Sequence, residues 1–325
     1  MKTTTVTISH RHLFSHPKIR KKILVISLVI FLFAVVFTLF LHRSIVDITS
    51  PYPGEVETVE VLHRSPADTV HFGVISRFPA NILYQGYQPV MDYLGRESDY
   101  HFELVISRSY IETVQGLGSG ELDAAFLGSY IYTKSRDEYN IIPILKPLNK
   151  NGEPFFHSVV IVREDSDKHG LPHLKGHSLA LPSAQSYSGN WLFRSGFDQY
   201  NMTRDDLSAI EYFDHHHSVV YEVIRGSFDA GSVKDRVARE FEGRGIRVID
   251  QSPPVPGSPI VVPEDYDEYK VEAISSALLN IDPDHPDFQE LISRWDKEFA
   301  FGFTRAEPRD YDHLLPQINQ PERQP

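Results

Sequence analysis

Ser186, Tyr187, Ser188 and Gly189 form the segment of the sequence that is best suited to chemistry. They follow a predicted strand at residues 178–181 and precede a helix that we predict from residue 190 to residue 200. A helix N-terminus presents unpaired backbone N–H groups and the positive end of the helix dipole. Serine hydroxyls donate to the same anion, and a glycine lets the backbone approach it closely. The pattern predicts an oxyanion site that needs no fixed cation, although an ordinary helix N-cap would also favour serine.

A second turn of this kind, Gly128, Ser129 and Tyr130, follows a predicted strand at residues 122–127. In α/β proteins, ligands bind in the crevice at the carboxyl ends of the strands. The turn therefore predicts a second border of the site. Because Gly-Ser is common in loops, a plain connection between two elements is the alternative.

Three consecutive histidines, His215, His216 and His217, are compatible in residue type with a metal site. Adjacent residues alternate faces in a strand and spread by about 100° each in a helix, whereas zinc ligands are usually three or four residues apart. The run therefore favours a loop in which His216 faces a cleft and donates to an anion, and no metal is predicted. Asp229 is either an acceptor in the cleft or a turn residue at a strand end.

Signatures of hydrolytic enzymes are missing from the sequence. It has no G-x-S-x-G segment, no histidine pair four residues apart with a glutamate between them, and no phosphate-binding P-loop. Ser186, His216 and Asp229 have the residue types of a catalytic triad, but nothing in the sequence places them within mutual reach. We therefore predict neither an enzymatic activity nor a cofactor.

The elements that must position these residues alternate between strand and helix patterns from residue 68 onward. This alternation predicts an α/β fold with helices on the faces of a parallel or mixed sheet. Segments near residues 154–160 and 250–259 have the character of crossings, which predicts two lobes with a ligand cleft between them. The predicted division is lobe 1 at residues 68–157 and 258–308, lobe 2 at 158–257, and a loose polar tail at 309–325.

The N-terminal part of the chain predicts a membrane anchor. Residues 23–41 are almost wholly apolar, and a run of this length approaches the thickness of a bilayer core. Residues 1–22 carry six basic and no acidic side chains, so they are predicted to stay in the cytoplasm. The remainder would then lie outside the inner (cytoplasmic) membrane, in the periplasm or at the cell exterior, with residues 42–67 as a tether. A cleaved signal peptide is the alternative, but its apolar region would be shorter.

Composition limits the classes of partner. The chain has 325 residues, which favours two lobes over one. Its net charge of −12 comprises +6 in residues 1–22 and −18 in the remainder, which argues against a nucleic-acid partner. The absence of cysteine excludes disulfides, thiol catalysis and cysteine-based metal sites.

From about residue 68 to residue 305 the chain resembles the phosphonate- and phosphite-type periplasmic binding proteins that serve ABC transporters. The resemblance is carried by six segments in order: NILYQGYQPVMDYL from residue 81, YIETVQGLGSGELDAAFLGSY from 110, SVVIVREDS from 158, the Ser-x-Ser-Gly turn ending at 189, HHSVVYEVIRGSFDAGSV from 216, and SPPVPGSPI from 252.

This resemblance implies a two-lobed periplasmic-binding-protein fold, preceded here by one N-terminal transmembrane helix. It implies that the anion is held at the helix that starts after Ser186, Tyr187 and Ser188, and that His216 donates to it. Tyr110 and Phe156 would line the pocket, and the turn at residues 128–130 would border it.

The sequence departs from the family pattern at three of these positions. Tyr187 stands where a small hydroxyl residue is usual, Phe156 where tyrosine is usual, and Gly257-Ser258 where Asn-Asp is common. An acid at position 258 would suit a ligand that carries an amino group. Ser258 has no charge, so an aminoalkyl phosphonate is not favoured as the ligand.

The function that follows is capture of a phosphorus oxyanion (phosphonate, phosphite or phosphate) for delivery to an ABC permease. The first alternative is a membrane-anchored sensing subunit that reports ligand occupancy to a membrane signalling protein. The second alternative, an enzyme that acts on a phosphorus ester, would need a nucleophile or metal set that the sequence does not show.

Overall fold

The structure is a computed structural model that describes residues 25–37 and 68–319. Residues 25–37 form helix α1, which belongs to an N-terminal unit; the folded body belongs to a second unit, His63–Pro325. None of the helices in the described ranges is both long enough and apolar enough to cross a membrane.

Most of the predicted N-terminal organisation falls on residues that the structure does not describe. Residues 1–22, both ends of the apolar run at 23–41, and residues 42–67 all lie outside the described ranges. The anchor, the cytoplasmic segment and the tether therefore stay predictions.

Lobe 1 is built on a six-stranded mixed sheet. Its strands are β1 (Thr69–Val74), β2 (His101–Ile106), β3 (Ala124–Phe126), β4 (Ile141–Pro147), β12 (Ile260–Pro263) and β13 (Phe303–Arg305). The spatial order is β13-β4-β12-β3-β1-β2. Strand β1 pairs in parallel with β2 and β3, whereas β12 pairs antiparallel with β3 and β4. The sheet thus aligns the carboxyl ends of β1 and β3 at one edge.

Helices cover both faces of this sheet. They are α2 (Ala80–Arg96), α3 (Tyr110–Ser119), α4 (Ser129–Tyr139), α7 (Glu268–Leu279) and α8 (Pro286–Ile292). Helix α2 buries Leu83, Tyr87, Val90 and Leu94, and this spacing of three and four residues forms one apolar face. In β3, Phe126 packs with the α2 and α7 side, while Ala125 packs with α3 and α4. Neighbouring residues of β3 therefore belong to hydrophobic cores on opposite faces of the sheet.

Lobe 2 has a five-stranded mixed sheet. Its strands are β6 (Ser158–Arg163), β7 (Ser178–Pro182), β8 (Ala209–Phe213), β9 (Ala230–Lys234) and β10 (Ile246–Gln251). The order is β10-β6-β9-β7-β8, with β7 parallel to both β8 and β9. Helices α5 (His216–Arg225) and α6 (Asp235–Glu240) cover one face, where Val219, Val220 and Val223 are fully buried.

The helix predicted at residues 190–200 does not form as expected. A wide π-helical turn at Leu192–Gly196 is followed by a single 3-10 turn at Asp198–Tyr200. The Trp191 ring lies where a side chain at Gly196 would project, with 2.8 Å between the ring and an added Cβ. Its indole N–H donates to Ser232 Oγ at 3.0 Å, which holds the ring against β9. We attribute the widened turn to this large, fixed ring, since an inserted side chain distorts the regular helical ladder.

The two crossing segments lie side by side. Strand β5 (Phe155–Phe156) pairs antiparallel with β11 (Val255–Pro256), so the outgoing and returning chains form a short ladder between the two sheets. Backbone pairing in this ladder connects the two crossing segments.

The expectation of a loose tail is wrong for residues 309–319. This segment forms a 3-10 helix, Pro308–Leu314, and then helix α9, Leu315–Asn319. Tyr311 and Leu314 are buried, and the Tyr311 hydroxyl donates to the carbonyl of Gly257 at 2.7 Å. Burial of these apolar side chains, together with the hydrogen bond to the returning crossing, holds the segment in place. The last residues, 320–325, lie outside the described ranges.

Candidate functional site

A small cavity lies where the carboxyl ends of β1, β3, β7 and β9 face one another across the two lobes. Its volume is about 40 Å³, which exceeds the space that one water molecule needs. Eight of the eleven residues predicted for the site line it: Tyr110, Ser129, Phe156, Ser186, Tyr187, Ser188, His216 and Ser258. We call this space the oxyanion cavity.

Three helices begin at the oxyanion cavity. Tyr110 is the first residue of α3, Ser129 of α4 and His216 of α5, and all three line the cavity. Each helix is at least ten residues long. The first turn of a helix has N–H groups without intrahelical partners, and its dipole is positive at this end. The folded chain therefore directs three partial positive charges at one small space.

The turn from Ser186 to Gly189 adds hydrogen-bond donors. No acceptor among residues 68–319 takes the backbone N–H of Tyr187 or of Ser188. The Ser188 hydroxyl is buried, and it too has no hydrogen-bond partner among the described residues. The Ser186 hydroxyl accepts the N–H of Gly189 at 3.1 Å, which fixes its position and leaves its own O–H as a donor. A buried, unpaired hydroxyl is costly unless a ligand completes it, so Ser188 indicates that something binds here.

Gly189 does not line the cavity, but it determines the path of the turn. A Cβ atom added there would lie 2.4 Å from the carbonyl oxygen of Ser183 and 2.8 Å from that of Pro182. Since both contacts are with backbone atoms, a larger residue must move the chain that presents Ser188.

Replacing Gly189 with alanine is expected to lower the free energy of unfolding by about 1–3 kcal/mol, the usual cost of overpacking. Urea denaturation of the purified chain measures it. Gly95→Ala is the control, because its Cβ would lie 3.6 Å from the Tyr100 carbonyl oxygen, an ordinary contact. Alanine is also the better helix former, so Gly95→Ala should not destabilise. Equal effects of the two changes would contradict the prediction.

His216 is held as a neutral donor. Its Nδ1 accepts the backbone N–H of Lys234 at 3.1 Å, so in the neutral ring the proton must lie on Nε2. Burial, together with the positive charges of Lys234, Arg77 and Arg236, lowers the pKa of His216 to about 3. The ring therefore stays neutral at ordinary pH and has one N–H to offer to a ligand.

The site contains fixed cations, which corrects the expectation that it needs none. Arg77, Lys234 and Arg236 line the oxyanion cavity. Arg77 follows β1, Lys234 ends β9, and Arg236 lies in α6. Both lobes therefore contribute positive charge to the same small space.

A buried carboxylate joins two of these cations. Glu298 forms ion pairs with Arg77 of lobe 1 and with Lys234 of lobe 2. Burial raises the pKa of Glu298, but Arg77 and Lys234 outweigh this effect and hold it well below its ordinary value. Arg77 also reaches Asp296 at 3.0 Å, and Arg236 pairs with Glu240 at 2.9 Å. The Lys234–Glu298 pair thus links the two lobes through charges taken out of water.

The sequence contained a signal for some of these residues. Arg77 and Lys234 lie at the carboxyl ends of strands, where the same rule had located the Gly128 and Ser186 turns. Isolated charged residues near a strand end are equally typical of a solvated surface, so their position alone does not predict that they line the site. Glu298 comes from a segment more than two hundred residues after Arg77, and no local pattern relates the two.

Three predicted residues lie away from the cavity. Asp229 accepts from the backbone N–H and the hydroxyl of Ser178, at 2.9 Å and 2.8 Å. Both residues lie at the starting edge of the parallel strands β7 and β9, whereas the cavity is at the opposite edge. Tyr130 packs in the hydrophobic core, and Gly189 packs against the carbonyl oxygens of Pro182 and Ser183. Asp229 is therefore a strand-start residue, and no triad with Ser186 and His216 exists.

The aromatic residues that line the cavity differ in what they contribute. Lys234 Nζ lies 4.0 Å from the centroid of the Phe156 ring, which is a cation–π contact. Burial raises the pKa of Tyr187 to about 12, while hydrogen bonding with Ser252 and Gln317 opposes this rise. The backbone N–H of Tyr187 is the group that it offers to a ligand.

The consecutive histidines at residues 215–217 do not share a common partner. His217 Nε2 lies 2.9 Å from a carboxylate oxygen of Glu240, while His216 bonds the backbone of Lys234. Within the described part of the chain, no three histidine, aspartate or glutamate side chains come close enough together to hold a metal ion. The arrangement is suited to binding an anion.

Comparison with known proteins agrees with this geometry. Residues 72–311 match the family model described as "ABC transporter, phosphonate, periplasmic substrate-binding protein". This match covers well over half of the chain.

Solved structures with the same fold include three informative ones. The binding protein component of an ABC phosphonate transporter from Pseudomonas aeruginosa is 16% identical, with a TM-score of 0.67 over 76% of this chain and 84% of that one. PhnD1 from Prochlorococcus marinus, in complex with methylphosphonate, is 17% identical, with a TM-score of 0.67 over 77% and 97%. A Xanthomonas citri protein bound to ATP is 19% identical, with a TM-score of 0.63 over 77% and 97%. At these identities the likeness establishes the two-lobed fold.

Proposed function

The chain belongs to the family of periplasmic substrate-binding proteins of phosphonate ABC transporters, and we propose that it captures a small phosphorus oxyanion for its permease. The ligand class is phosphonate, phosphite or phosphate. The family consists of binding proteins and not of enzymes. Methylphosphonate, which PhnD1 binds, is the first ligand to test.

The observation that carries this proposal is the unpaired Ser188 hydroxyl inside a cavity of about 40 Å³. Two free backbone N–H groups, at Tyr187 and Ser188, and the Nε2–H of His216 supply further donors. An oxyanion with three oxygen atoms accepts from several such donors at once, and charge-assisted hydrogen bonds of this kind are strong. A ligand as large as ATP does not match the volume of the cavity.

Anchoring by residues 23–41 is part of the proposal and rests on the sequence. A tethered binding protein would remain near the permease, which raises the effective concentration of captured ligand at the transporter. The acidic remainder of the chain does not oppose binding of an anion, because salt screens distant surface charge and the local donors dominate.

A thermal-shift screen of the purified chain tests the proposal. The panel holds phosphate, phosphite, methylphosphonate, sulfate and ATP. A ligand present at about 100 times its Kd should stabilise the folded state by about 2.7 kcal/mol. We expect at least one small phosphorus oxyanion to do so and ATP not to.

Ser188→Ala should abolish at least about half of that stabilisation. Loss of one hydrogen bond to a charged ligand costs about 1.5–3 kcal/mol, or roughly tenfold to 150-fold in Kd. The ligand-free protein should lose no stability, because the hydroxyl has no partner to lose. The matched control is Ser275→Ala in α7, whose buried hydroxyl also lacks a described partner but lies outside the cavity.

The control separates a binding role from a structural one. If no phosphorus oxyanion stabilises the chain, the proposed ligand class is wrong. If Ser188→Ala and Ser275→Ala leave ligand binding equally intact, the oxyanion cavity is not where the ligand binds.

A further inference from the structure

Lys234 reaches into the oxyanion cavity as a buried cation. Its Nζ lies 3.3 Å from Ser258 Oγ and 4.0 Å from the centroid of the Phe156 ring, and it forms an ion pair with Glu298. Lys234, Ser258 and Phe156 line the cavity, and Glu298 lies behind the ammonium group. The ammonium group is therefore enclosed by a hydroxyl, an aromatic face and a carboxylate, which is a complete environment for a primary ammonium ion.

A second, larger cavity lies directly beyond this ammonium group. Its volume is about 280 Å³, and its lining includes the apolar side chains of Leu148, Phe155 and Phe301. The two cavities share three lining residues, Phe156, Lys234 and Arg236, and Glu298 lines the larger one. The Lys234–Glu298 pair thus stands between the oxyanion cavity and the space into which an organic substituent would extend.

We infer that Lys234 supplies, from the protein itself, the ammonium group that an aminoalkyl phosphorus ligand would otherwise bring to Glu298. The inference rests on the proposed function and names the ligands that the site accepts and rejects. Phosphorus oxyanions with no substituent, or with a one-carbon substituent, fit the cavity as it stands. Ligands with an aminoalkyl substituent are excluded, both by the volume of the lysine side chain and by its charge.

The charges explain why a second ammonium ion is rejected. Glu298 offers two carboxylate oxygens, and Arg77 takes one while Lys234 takes the other. Three neighbouring carboxylates are paired with arginines: Asp296 with Arg77, Glu240 with Arg236, and Asp235 with Arg239. An additional buried cation would have no acceptor, and an unpaired buried charge is strongly unfavourable.

Removal of Lys234 should reverse this preference. In a Lys234→Ala variant the Glu298 oxygen loses its partner, and the space of the lysine stem opens toward the larger cavity. The ammonium group of 2-aminoethylphosphonate could then occupy the place of Lys234 Nζ, close to Ser258 and Phe156. The ligand would restore the charge balance that the substitution removed.

Isothermal titration calorimetry of the full-length chain tests this with three ligands: methylphosphonate, 2-aminoethylphosphonate and propylphosphonate. Propylphosphonate has the same number of heavy atoms as 2-aminoethylphosphonate and no charge on its substituent. We expect the wild type to bind methylphosphonate on the order of 30-fold or more tightly than 2-aminoethylphosphonate, which is the lower end of the effect of an unpaired buried charge.

The Lys234→Ala variant should bind 2-aminoethylphosphonate about tenfold or more tightly than propylphosphonate. The double variant Lys234→Ala/Glu298→Gln should lose this preference, because the carboxylate that receives the ammonium group is gone. Lys175→Ala is the control, since Lys175 is an exposed lysine that lines neither cavity. It should keep the wild-type order of the three ligands.

Circular dichroism first establishes that each variant is folded. If Lys234→Ala does not fold, Lys234→Gln replaces it, because the amide still donates to Glu298 without a charge. This variant should reduce the discrimination against 2-aminoethylphosphonate, relative to propylphosphonate, by about tenfold.

Two results would overturn the inference: wild-type binding of 2-aminoethylphosphonate as tight as that of methylphosphonate, or an unchanged ratio in the Lys234 variants. Both presuppose that methylphosphonate binds the wild type. If neither methylphosphonate nor any other small phosphorus oxyanion binds, the proposed function has failed, and that outcome is distinct from failure of the inference about Lys234.

Discussion

Replacing Arg77 with methionine is expected to lower the free energy of unfolding by about 3–5 kcal/mol, the usual cost of removing one partner from a buried ion pair. Since natural domains are stable by about 5–15 kcal/mol, this is a large fraction of the total. Methionine has a comparable apolar stem, so the effect reports the loss of the guanidinium group.

The contacts of Arg77 explain the expected size. The side chain is buried, and it donates to Glu298, to the Tyr87 hydroxyl, and to Asp296 at 3.0 Å. Burial would lower the pKa of Arg77, but Glu298, Tyr87 and Asp296 raise it well above its ordinary value. Without the guanidinium group, Asp296 would have no ion pair among the described residues, and Glu298 would keep only Lys234.

Urea denaturation at neutral pH, followed by tryptophan fluorescence, measures the effect. Arg294→Met is the matched control, because Arg294 forms an exposed i,i+4 ion pair with Glu290 at 3.2 Å. Pairs of this type contribute only about 0.3–0.5 kcal/mol. A loss below about 1 kcal/mol for Arg77→Met would mean that the buried cluster is not a substantial source of stability.

The buried ion pairs of Arg77, Lys234 and Glu298 show which parts of the site can be predicted from the sequence and which cannot. The turns at Gly128 and Ser186 were located from small residues at predicted strand ends, because parallel strands bring their carboxyl ends to one edge. Arg77, Lys234 and Glu298 belong to the same site but meet only through the fold. The sequence around a single charged residue does not show whether its side chain will form a buried ion pair or lie exposed on the surface.

Errors in the elements have equally local causes. Helix periodicity did predict a helical segment after Gly189, but it could not show that Trp191 would widen the turn there. Tyr311, Leu314 and Ile318 are spaced by three and four residues, which is a helical signal that the polar composition of the tail concealed. A strand pattern does not show which end of the strand faces the site, so Asp229 fitted both an acceptor in the cleft and a turn residue at a strand end.

The ion pair between Lys234 and Glu298 also affects the equilibrium between the open and closed arrangements of the cleft. A buried ion pair between the lobes favours the closed arrangement before a ligand is present. The ligand then need not bring all of the attractive charge, because it completes donors such as Ser188 in a cavity that the protein has already formed. Such preorganisation lowers the cost of binding a small anion.

Replacing His216 with asparagine is expected to remove part of the acid sensitivity of the folded state. The pKa of His216 is lowered to about 3 in the folded protein, from about 6.5 in an unfolded chain. As pH falls below about 6.5, the unfolded chain binds a proton at this ring before the folded protein does. Stability therefore decreases as pH falls from about 6.5 toward 3, with a slope from this residue that approaches about 1.4 kcal/mol per pH unit.

Asparagine does not titrate, and its carbonyl oxygen still accepts the N–H of Lys234. The variant should therefore lose stability more slowly between pH 6.5 and pH 5, a difference of up to about 2 kcal/mol across this range. The depressed pKa values of Glu298 and Glu240 lie below their ordinary range, so these carboxylates act at lower pH. Urea denaturation at closely spaced pH values measures the slope.

A histidine outside the cavity supplies the control for this slope. His101 on β2 is exposed and lies outside the oxyanion cavity. His101→Asn should therefore follow the wild-type stability curve between pH 6.5 and pH 5. If His216→Asn followed the same curve, the ring of His216 would titrate like a solvated imidazole. The cations that surround it, Lys234, Arg77 and Arg236, would then be too well screened to attract a phosphorus oxyanion into the cavity.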